Sequence, residues 1–414
     1  MQGGKKYDVI VIGGGASGMM AAGRAAERGR SVLLLEKNAT LGRKLDISGG
    51  GRCNITNAEF DKHAFAKHYG AAEDFLYSPL SKFGVRSTFD FFTARGLPLK
   101  VEARKRAFPE TENAPDVTRV LKKYLADSKV EVRTGSAVVA LQAENDRITE
   151  AVTLGGTYRA ENFIIATGGM SHPETGSTGD GFKWLISLSH TVYPASPSVV
   201  PLKVREAWIK SLAGIALEPM KLTFYCDGKK AFSKKGRLLF THFGLSGPLI
   251  LNSAREVNEL LKEGDVTASI DLFPELDLAA LEKKVLDAIE ANKNKDLKNV
   301  LAGLVPKGMS KIVPEMLKLK DPKLKAHSFS KEDRKRFVHA LKAMPLTITG
   351  LMGLDRAVIS DGGVPLTEVD TRTMRSLIVG NLYLTGDILH INRPSGGYSL
   401  QLCWTTGFVA GDSA

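Results

Sequence analysis

Six residues, Gly13-Gly14-Gly15-Ala16-Ser17-Gly18, have the composition and spacing of a turn that receives a pyrophosphate. Gly13 allows a tight turn. Gly15 leaves the backbone bare where phosphate must approach, and Gly18 lets a following helix lie close to the preceding strand. Glu36 stands about 20 residues further on, where an acid can accept hydrogen bonds from a ribose diol. The chemistry is the binding of an adenine dinucleotide by N–H groups at a helix N-terminus, with no side-chain nucleophile required.

Other stretches carry the same signature. In Leu41–Asn57, Gly49, Gly50 and Gly51 lie beside Arg52 and Asn54, a backbone able to lie flat against a planar ligand, with Lys44 and Arg52 available to meet phosphate charge. Asn162–Gly169 reads as a buried strand ending in Ala166-Thr167-Gly168-Gly169, small residues at the carboxyl end where α/β sheets bind ligands. Thr175–Gly181 opens a helix without a nucleotide-type strand before it, and is expected to line the ligand cavity. Near the C-terminus, Leu382–Leu384 runs into Gly386-Asp387, an acid suited to sugar-like hydroxyls. Arg393, Gly396, Gly397 and Tyr398 then precede a helix whose N-terminus can face a polarised carbonyl or a negative ring system.

These groups need elements to position them. Tyr7–Ile12 and Ser31–Leu35 read as strands flanking a helix over Met19–Arg28, a βαβ unit. Residues 60–127 are mostly helical by pattern. Val130–Val132, Ala137–Gln142 and Ile148–Leu154 alternate like strands. From 199 to 272, short alternating runs with turns at Asp227-Gly228 and Lys235-Gly236 predict an antiparallel sheet or barrel. Leu276–Ala343 turns helical and lysine-rich before strand character returns at Leu346–Ile359. A ligand-binding half at the N-terminus is thus completed by the C-terminus, with about 191–349 inserted between.

Composition bounds the setting. The chain has 414 residues, enough for two or three domains, with 43% hydrophobic and 25% charged residues, ordinary for a globular protein. No run approaches the ~20 apolar residues of a membrane span. The first strand begins too early to leave room for a signal peptide. Cys53, Cys226 and Cys403 form no disulfide framework and no metal-ligand spacing. Together these predict a cytoplasmic protein without a metal site or membrane partner. The net charge is +12, and residues 281–345 hold 16 Lys and Arg against 8 Asp and Glu. Those cations interleave with leucines at helical spacing and with few aromatics, which reads as a solvated helical face; no nucleic-acid partner is expected.

The order GGGASG, GRKxxxSGGGRCNxTN, ATGG, TGSTGDG, THxGLSGP, TGD and GGYSLQ resembles the BaiN/YhiN-like flavoproteins, described variously as aminoacetone oxidases or bile-acid-type dehydro-reductases. The likeness covers nearly the whole chain, and its most specific part is SGGGRCN. It implies FAD as the held cofactor. It also implies a Rossmann-like α/β FAD-binding domain, discontinuous over 1–190 and 350–414, with a β-barrel-like insert at 191–275 and a small helical insert at 276–349. A looser likeness is to fumarate-reductase-type flavoproteins. Carried over by position, Gly13, Gly15, Ala16, Ser17 and Gly18 hold the pyrophosphate and Glu36 the adenosine ribose. Lys37 and Lys44 lie near adenosine and phosphates, and Val138 at the adenine edge. Gly50, Gly51, Arg52, Cys53 and Asn54 line the flavin, and Thr167 and Gly168 cover the middle of the cofactor. Gly386 and Asp387 touch the ribityl and pyrophosphate, and Gly397, Tyr398, Ser399 and Leu400 the pyrimidine side. Asp46, Asp387 and Ser399 depart from the family's usual residues.

The resemblance implies an oxidoreductase moving a hydride between the flavin and a small or medium-sized organic substrate, with the flavin carrying the chemistry. No second complete glycine fingerprint is present, so NAD(P)H would visit the substrate cavity transiently, or O2 would take the electrons. A flavoprotein acting on RNA is the alternative. Reduction of an activated C=C bond also needs a proton donor, for which His242, Asp180, Arg393, His390 and Tyr398 are the candidates. Cys53 has no CxxC partner and is not expected to act as a redox thiol.

Overall fold

Short runs without polar interruption become central strands when both faces of a sheet are covered, and the first strand follows that rule. The structure, a computed structural model, describes residues 6–313, 315 and 323–414. Lys6–Ile12 pairs in parallel with Val32–Leu35 on one side and Gly156–Ile165 on the other, Ile10 lying opposite Leu33 and Phe163. Val9, Ile10 and Val11 are fully buried. Glu131–Arg133 extends the sheet past Val32–Leu35, and Leu382–Leu384 adds in parallel to the carboxyl end of Gly156–Ile165. Val138–Glu144 and Arg147–Thr153 form an antiparallel hairpin on the amino-terminal part of Gly156–Ile165.

The first and last helices cross at close range. The C-terminal helix Tyr398–Ser413 carries glycines four residues apart, on one face. A Cβ on Gly407 would lie 2.4 Å from the Ser17 carbonyl oxygen, and one on Gly411 would lie 2.2 Å from that of Ala21. Both acceptors belong to the helix Ala16–Glu27. Arg24 clamps the far end through Asp412, with Nη2 at 2.6 Å and Nε at 3.0 Å from the carboxylate. A buried network fixes the near end: Thr56 and Thr88 donate to Gln401 Oε1 at 2.7 and 2.9 Å, Gln401 Nε2 donates to Thr405 Oγ1, and Trp404 Nε1 donates to the Ile55 carbonyl.

The chain divides into two compact units, Met1–Pro197 with Leu354–Ala414, and Ser198–Gly353. The second is built on a closed six-stranded barrel, ordered Leu202–Val204, Gly244–Ser246, Lys229–Thr241, Ala216–Cys226, Val266–Asp271 and Met344–Leu351. Met344–Leu351 closes the barrel against Leu202–Val204. The helices Leu278–Ala291 and Lys331–Lys342 bury Leu281, Val285, Phe337 and Leu341 in the same core as the barrel residues Leu222 and Phe224. A helical piece at 276–349 separate from a β-rich piece at 191–275 is therefore not what the structure holds. The helical excursion precedes the last barrel strand, so neither part encloses a core without the other.

Gly407→Val tests the helix crossing. Overpacking against a backbone carbonyl is expected to cost about 2–3 kcal/mol and to lower the melting temperature by roughly 5–10 °C. Thermal unfolding followed by circular dichroism measures it; an unchanged transition would mean the helices can separate freely.

Candidate cofactor seat and active site

The first strand delivers its chain into a turn that only its neighbours explain. Gly13 donates its N–H to the Leu35 carbonyl at 2.8 Å. Its φ is +108°, and a Cβ there would sit 2.5 Å from the Ala166 carbonyl oxygen. A Cβ on Gly18 would meet the Gly13 carbonyl at 1.9 Å, so the helix rests directly on the turn. The helix N-cap, Gly15, supplies no side-chain acceptor, which leaves the first N–H groups of Ala16–Glu27 for an anion.

Glu36 is buried at the end of the second strand. Its Oε2 accepts the Gly14 N–H at 2.7 Å, and Oε1 accepts the Asn38 N–H and side-chain amide, each at 2.7 Å. Those bonds fix the carboxylate and leave lone pairs for a diol. The 135–138 turn lies alongside: Ser136 donates to the Glu36 carbonyl and Gly135 to that of Asn38, which brings buried Val138 close by. Lys37 points to the Thr175–Gly181 loop, where Nζ donates to Thr178 Oγ1 at 2.6 Å and Asp180 Oδ2 at 2.7 Å. Burial opposes ionisation of Asp180, but the bonds from Lys37 and Thr178 outweigh it and hold its carboxyl below the ordinary value.

At the other end of the chain, the Leu382–Leu384 strand passes into Gly386-Asp387 beside the first helix. A Cβ on Gly386 would be 2.9 Å from Ser17 Oγ, and the Gly386 N–H donates to Thr406 Oγ1. Lys44 Nζ donates to Ser171 Oγ at 2.5 Å and lies 3.9 Å from Asp387 Oδ2. Desolvation pulls the Lys44 ammonium below the usual lysine value, against the opposing attraction of Asp387. Arg393 is buried and fully engaged: Nη2 with Asp387 Oδ1, Nε with Ser399 Oγ at 2.9 Å, Nη1 with the Ile391 carbonyl at 2.6 Å. Asn54 ties the glycine-rich 49–51 turn to the start of the last helix, its oxygen accepting the Gly397 N–H at 2.9 Å while its nitrogen donates to Ala107 and Thr56 carbonyls.

The family model of the HI0933-like protein Rossmann domain matches residues 7–413. This chain belongs to that family. It is 30% identical over 409 residues to a 3-dehydro-bile acid Δ4,6-reductase of Clostridium scindens, covering 98% of each chain. It is 28% identical over 405 residues to a ribosomal RNA dihydrouridine synthase of Escherichia coli, covering 98% of this chain and 97% of that one. Among solved structures, the fold matches a flavocytochrome c3 fumarate reductase, with 16% identity, a TM-score of 0.55, and 99% and 78% of the two chains covered. It also matches the 3-ketosteroid Δ1-dehydrogenase of Sterolibacterium denitrificans, with 15% identity, a TM-score of 0.53 and 98% of each chain covered. This HI0933-like protein is an FAD-dependent oxidoreductase. Among the described residues no helix is long and apolar enough to cross a membrane, and no cluster of three acidic, His or Cys side chains could hold a metal ion.

The residues present fit FAD. Thr167 Oγ1 is buried and has no hydrogen-bond partner among the described residues, at the strand end where a cofactor would pass. The space beside Gly15, Gly50 and Gly51 is open where a Cβ would stand. The last helix, like the first, begins at a glycine N-cap without a side-chain acceptor.

Several sequence expectations change. Arg52 does not point to phosphate; its guanidinium bonds to Glu102 and Glu112 and lies over the Phe108 ring at 4.2 Å. Cys53 is fully buried and burial pushes its thiol up to about 12, so it stays protonated near neutral pH. Asp180 is held ionised by Lys37 and Thr178, which leaves it no proton to donate near neutral pH. Tyr398 packs its ring against Phe65 and His68, with centroids at 5.0 and 4.5 Å, and burial pushes its phenol up to about 12. Arg393 is neither a solvated surface residue nor a free substrate anchor, and it occupies the Ser399 hydroxyl. Leu400 follows on the first turn of the helix, partly buried. His242 tips the exposed turn between the barrel strands Lys229–Thr241 and Gly244–Ser246. The partners Asn38 and Ser171 carried no sequence signal: Asn38 holds Glu36 locally and reaches the Thr175 carbonyl, and Ser171 meets Lys44 only across the fold.

Glu36→Gln is expected to weaken FAD binding by roughly 10–100-fold, the loss of charge-assisted hydrogen bonds. Fluorescence titration of the apoprotein with FAD measures this. An unchanged affinity would remove Glu36 from the ribose site.

Proposed function

We propose that this HI0933-like protein reduces a carbon–carbon double bond conjugated to a carbonyl in an organic substrate, with NAD(P)H as the transient reductant. The observation that carries the reading is the presence, within one unit, of two helices with uncapped glycine N-termini, the first beside the Gly14–Glu36 bond and the second tied to Asp387 through Arg393 and Ser399. In this reading the N-terminus at Gly15 takes the pyrophosphate and Glu36 the adenosine ribose. Asp387, held by Arg393, takes the ribityl hydroxyls. The helix beginning at Tyr398 meets the pyrimidine ring, where its dipole favours negative charge. FAD, when bound, supplies the hydride. No second glycine fingerprint offers a nicotinamide its own seat, so NAD(P)H and substrate use one cavity in turn.

The names of the full-length relatives support the choice of substrate bond. The Clostridium scindens protein is named for reducing 3-dehydro bile acids at Δ4,6, and those of E. coli and Haemophilus influenzae for making dihydrouridine in ribosomal RNA. Both names describe saturation of a double bond next to a carbonyl. Charge favours a second reading, in which the bond belongs to a uracil base in RNA. Residues 198–353 hold 27 Lys and Arg against 18 Asp and Glu, a net of +9 out of +12 for the chain. Several of these cations are already paired, among them Lys325 with Asp296 and Lys342 with Asp271, so the small-molecule reading stands first.

Anaerobic NADH or NADPH is expected to bleach the yellow holoprotein, and a 3-oxo-Δ4 steroid or cyclohexenone to restore the colour. Reoxidation by O2 alone would make the protein an oxidase instead. RNA binding that falls steeply with salt, together with dihydrouridine formed in ribosomal RNA, would move the assignment to the second reading.

A further inference from the structure

Saturating a conjugated double bond requires a proton on one carbon as well as a hydride on the other. Within the unit that holds the cofactor seat, Asp180 is engaged by Lys37 and Arg393 by Asp387, while the Tyr398 ring is packed among aromatic neighbours and burial pushes its phenol up to about 12. His390 remains. It stands three residues after Asp387 and three before Arg393, on the loop that leads from the last strand to the C-terminal helix.

The surroundings of His390 hold its ring in one orientation. Its N–H donates to the Val364 carbonyl at 2.8 Å, and the Val364 N–H donates to that of Ile388 at 2.9 Å. The strand Ile359–Gly363 presses close, since a Cβ on Gly363 would lie 2.4 Å from the Ile388 carbonyl oxygen. The Tyr193 ring meets the imidazole edge-on, with centroids 4.9 Å apart at 73°. Nδ1 is buried and makes no hydrogen bond among the described residues, yet Asp361 Oδ1 lies only 3.4 Å away. Asp361 is itself held, accepting the Gly362 N–H at 3.1 Å and the Asn392 amide at 3.4 Å. The His390 side chain is nevertheless 39% exposed, so its open edge is the one bearing Nε2. A carboxylate behind Nδ1 with Nε2 facing outward is the arrangement that orients an imidazole and aims its Nε2 proton. The off-line 3.4 Å approach is of the kind that tightens when substrate arrives.

We infer that His390 is the proton donor for this reduction, with Asp361 as its positioning residue; the inference rests on the function proposed above. The carbon β to the carbonyl gains the hydride, and the carbon α to it gains the proton from Nε2. The C=C π bond, the Nε2–H bond and the bond that holds the hydride on its donor break, two C–H bonds form, and the two-electron reduction of the substrate matches the two-electron oxidation of the cofactor. Imidazole recovers its proton from water. The titratable groups facing His390 are Asp361 from one strand and Tyr193 from its partner strand. On its own loop, Asp387 and Arg393 largely cancel each other's charge.

Photoreduced holoprotein, mixed anaerobically with cyclohexenone or a 3-oxo-Δ4 steroid, provides the test. In His390→Gln, reoxidation by the enone is expected to slow about 100-fold or more. Reoxidation by ferricyanide, which needs no proton delivered to carbon, and FAD content should match wild type. The wild-type enone rate should fall as pH is raised, and the variant should lose that dependence. Asp361→Asn should slow the enone step less and move the His390 imidazole nitrogen shifts read by NMR on the holoprotein, a readout independent of turnover. An enone rate in His390→Gln within threefold of wild type, or His390 imidazole shifts unmoved in Asp361→Asn, would overturn the assignment while leaving the reductase reading intact. Wild-type protein that no conjugated carbonyl compound reoxidises would overturn both.

Discussion

Two helices from opposite ends of the chain lie so close that a methyl group between them would touch a carbonyl oxygen. Ser17 and Ala21 present their backbones to Gly407 and Gly411, and this contact sets the place of everything near it. It fixes the start of the last helix relative to the glycine turn, and it brings Gly386 against Ser17. Interiors are packed too tightly to absorb an extra side chain without moving backbone. The Arg24–Asp412 pair and the Gln401 network then prevent sliding along the contact, one at each end. A seat made from residues more than 350 positions apart in sequence can be rigid only if such a joint is rigid.

Around that joint the polar groups are arranged so that most are engaged before any ligand arrives. Glu36 binds backbone N–H groups, Asp387 binds Arg393, and Lys44 binds Ser171. Burying the Arg393–Asp387 pair carries a desolvation cost that its own attraction need not exceed, but removing either partner would strand a charge. Such a pair is better understood as fixing geometry than as adding stability. In the proposed reading it holds Asp387 in register with the Tyr398 helix through Ser399, so both reach the cofactor as one piece.

The glycine fingerprint, Glu36 and the Gly-Asp ending of the last strand were legible because each depends on short-range spacing that backbone chemistry imposes. The side chains of Arg52, Asp180 and Tyr398 were not. An Arg beside three glycines looks ready for phosphate, yet Glu102, 50 residues away, and Glu112, 60 away, take its charge. Asp180 looks like a cavity acid until Lys37 is seen to reach it across 143 residues. The helical stretch at 276–349 reads as its own body because nothing local reveals that Met344–Leu351 returns to close a barrel begun at Leu202. Asp361 shows the converse: a single acid in a Gly-rich run, it gains meaning only when the fold sets it behind His390.

The division of labour between the two units follows from the same distinction. The glycine turn, both acids and the His390–Asp361 pair lie in Met1–Pro197 and Leu354–Ala414, whereas Ser198–Gly353 carries most of the positive charge. Hydride transfer to a conjugated carbonyl makes the same local demands whether the double bond sits in a steroid ring or a pyrimidine: a planar acceptor, a fixed donor and one proton. In the proposed reading those demands fall on the first unit. Function grafted on a fold separates in this way when chemistry needs ångström-level positioning and recognition needs only complementary surface. In the proposed reading, the side chains around His390 decide what is done to the double bond that reaches the seat.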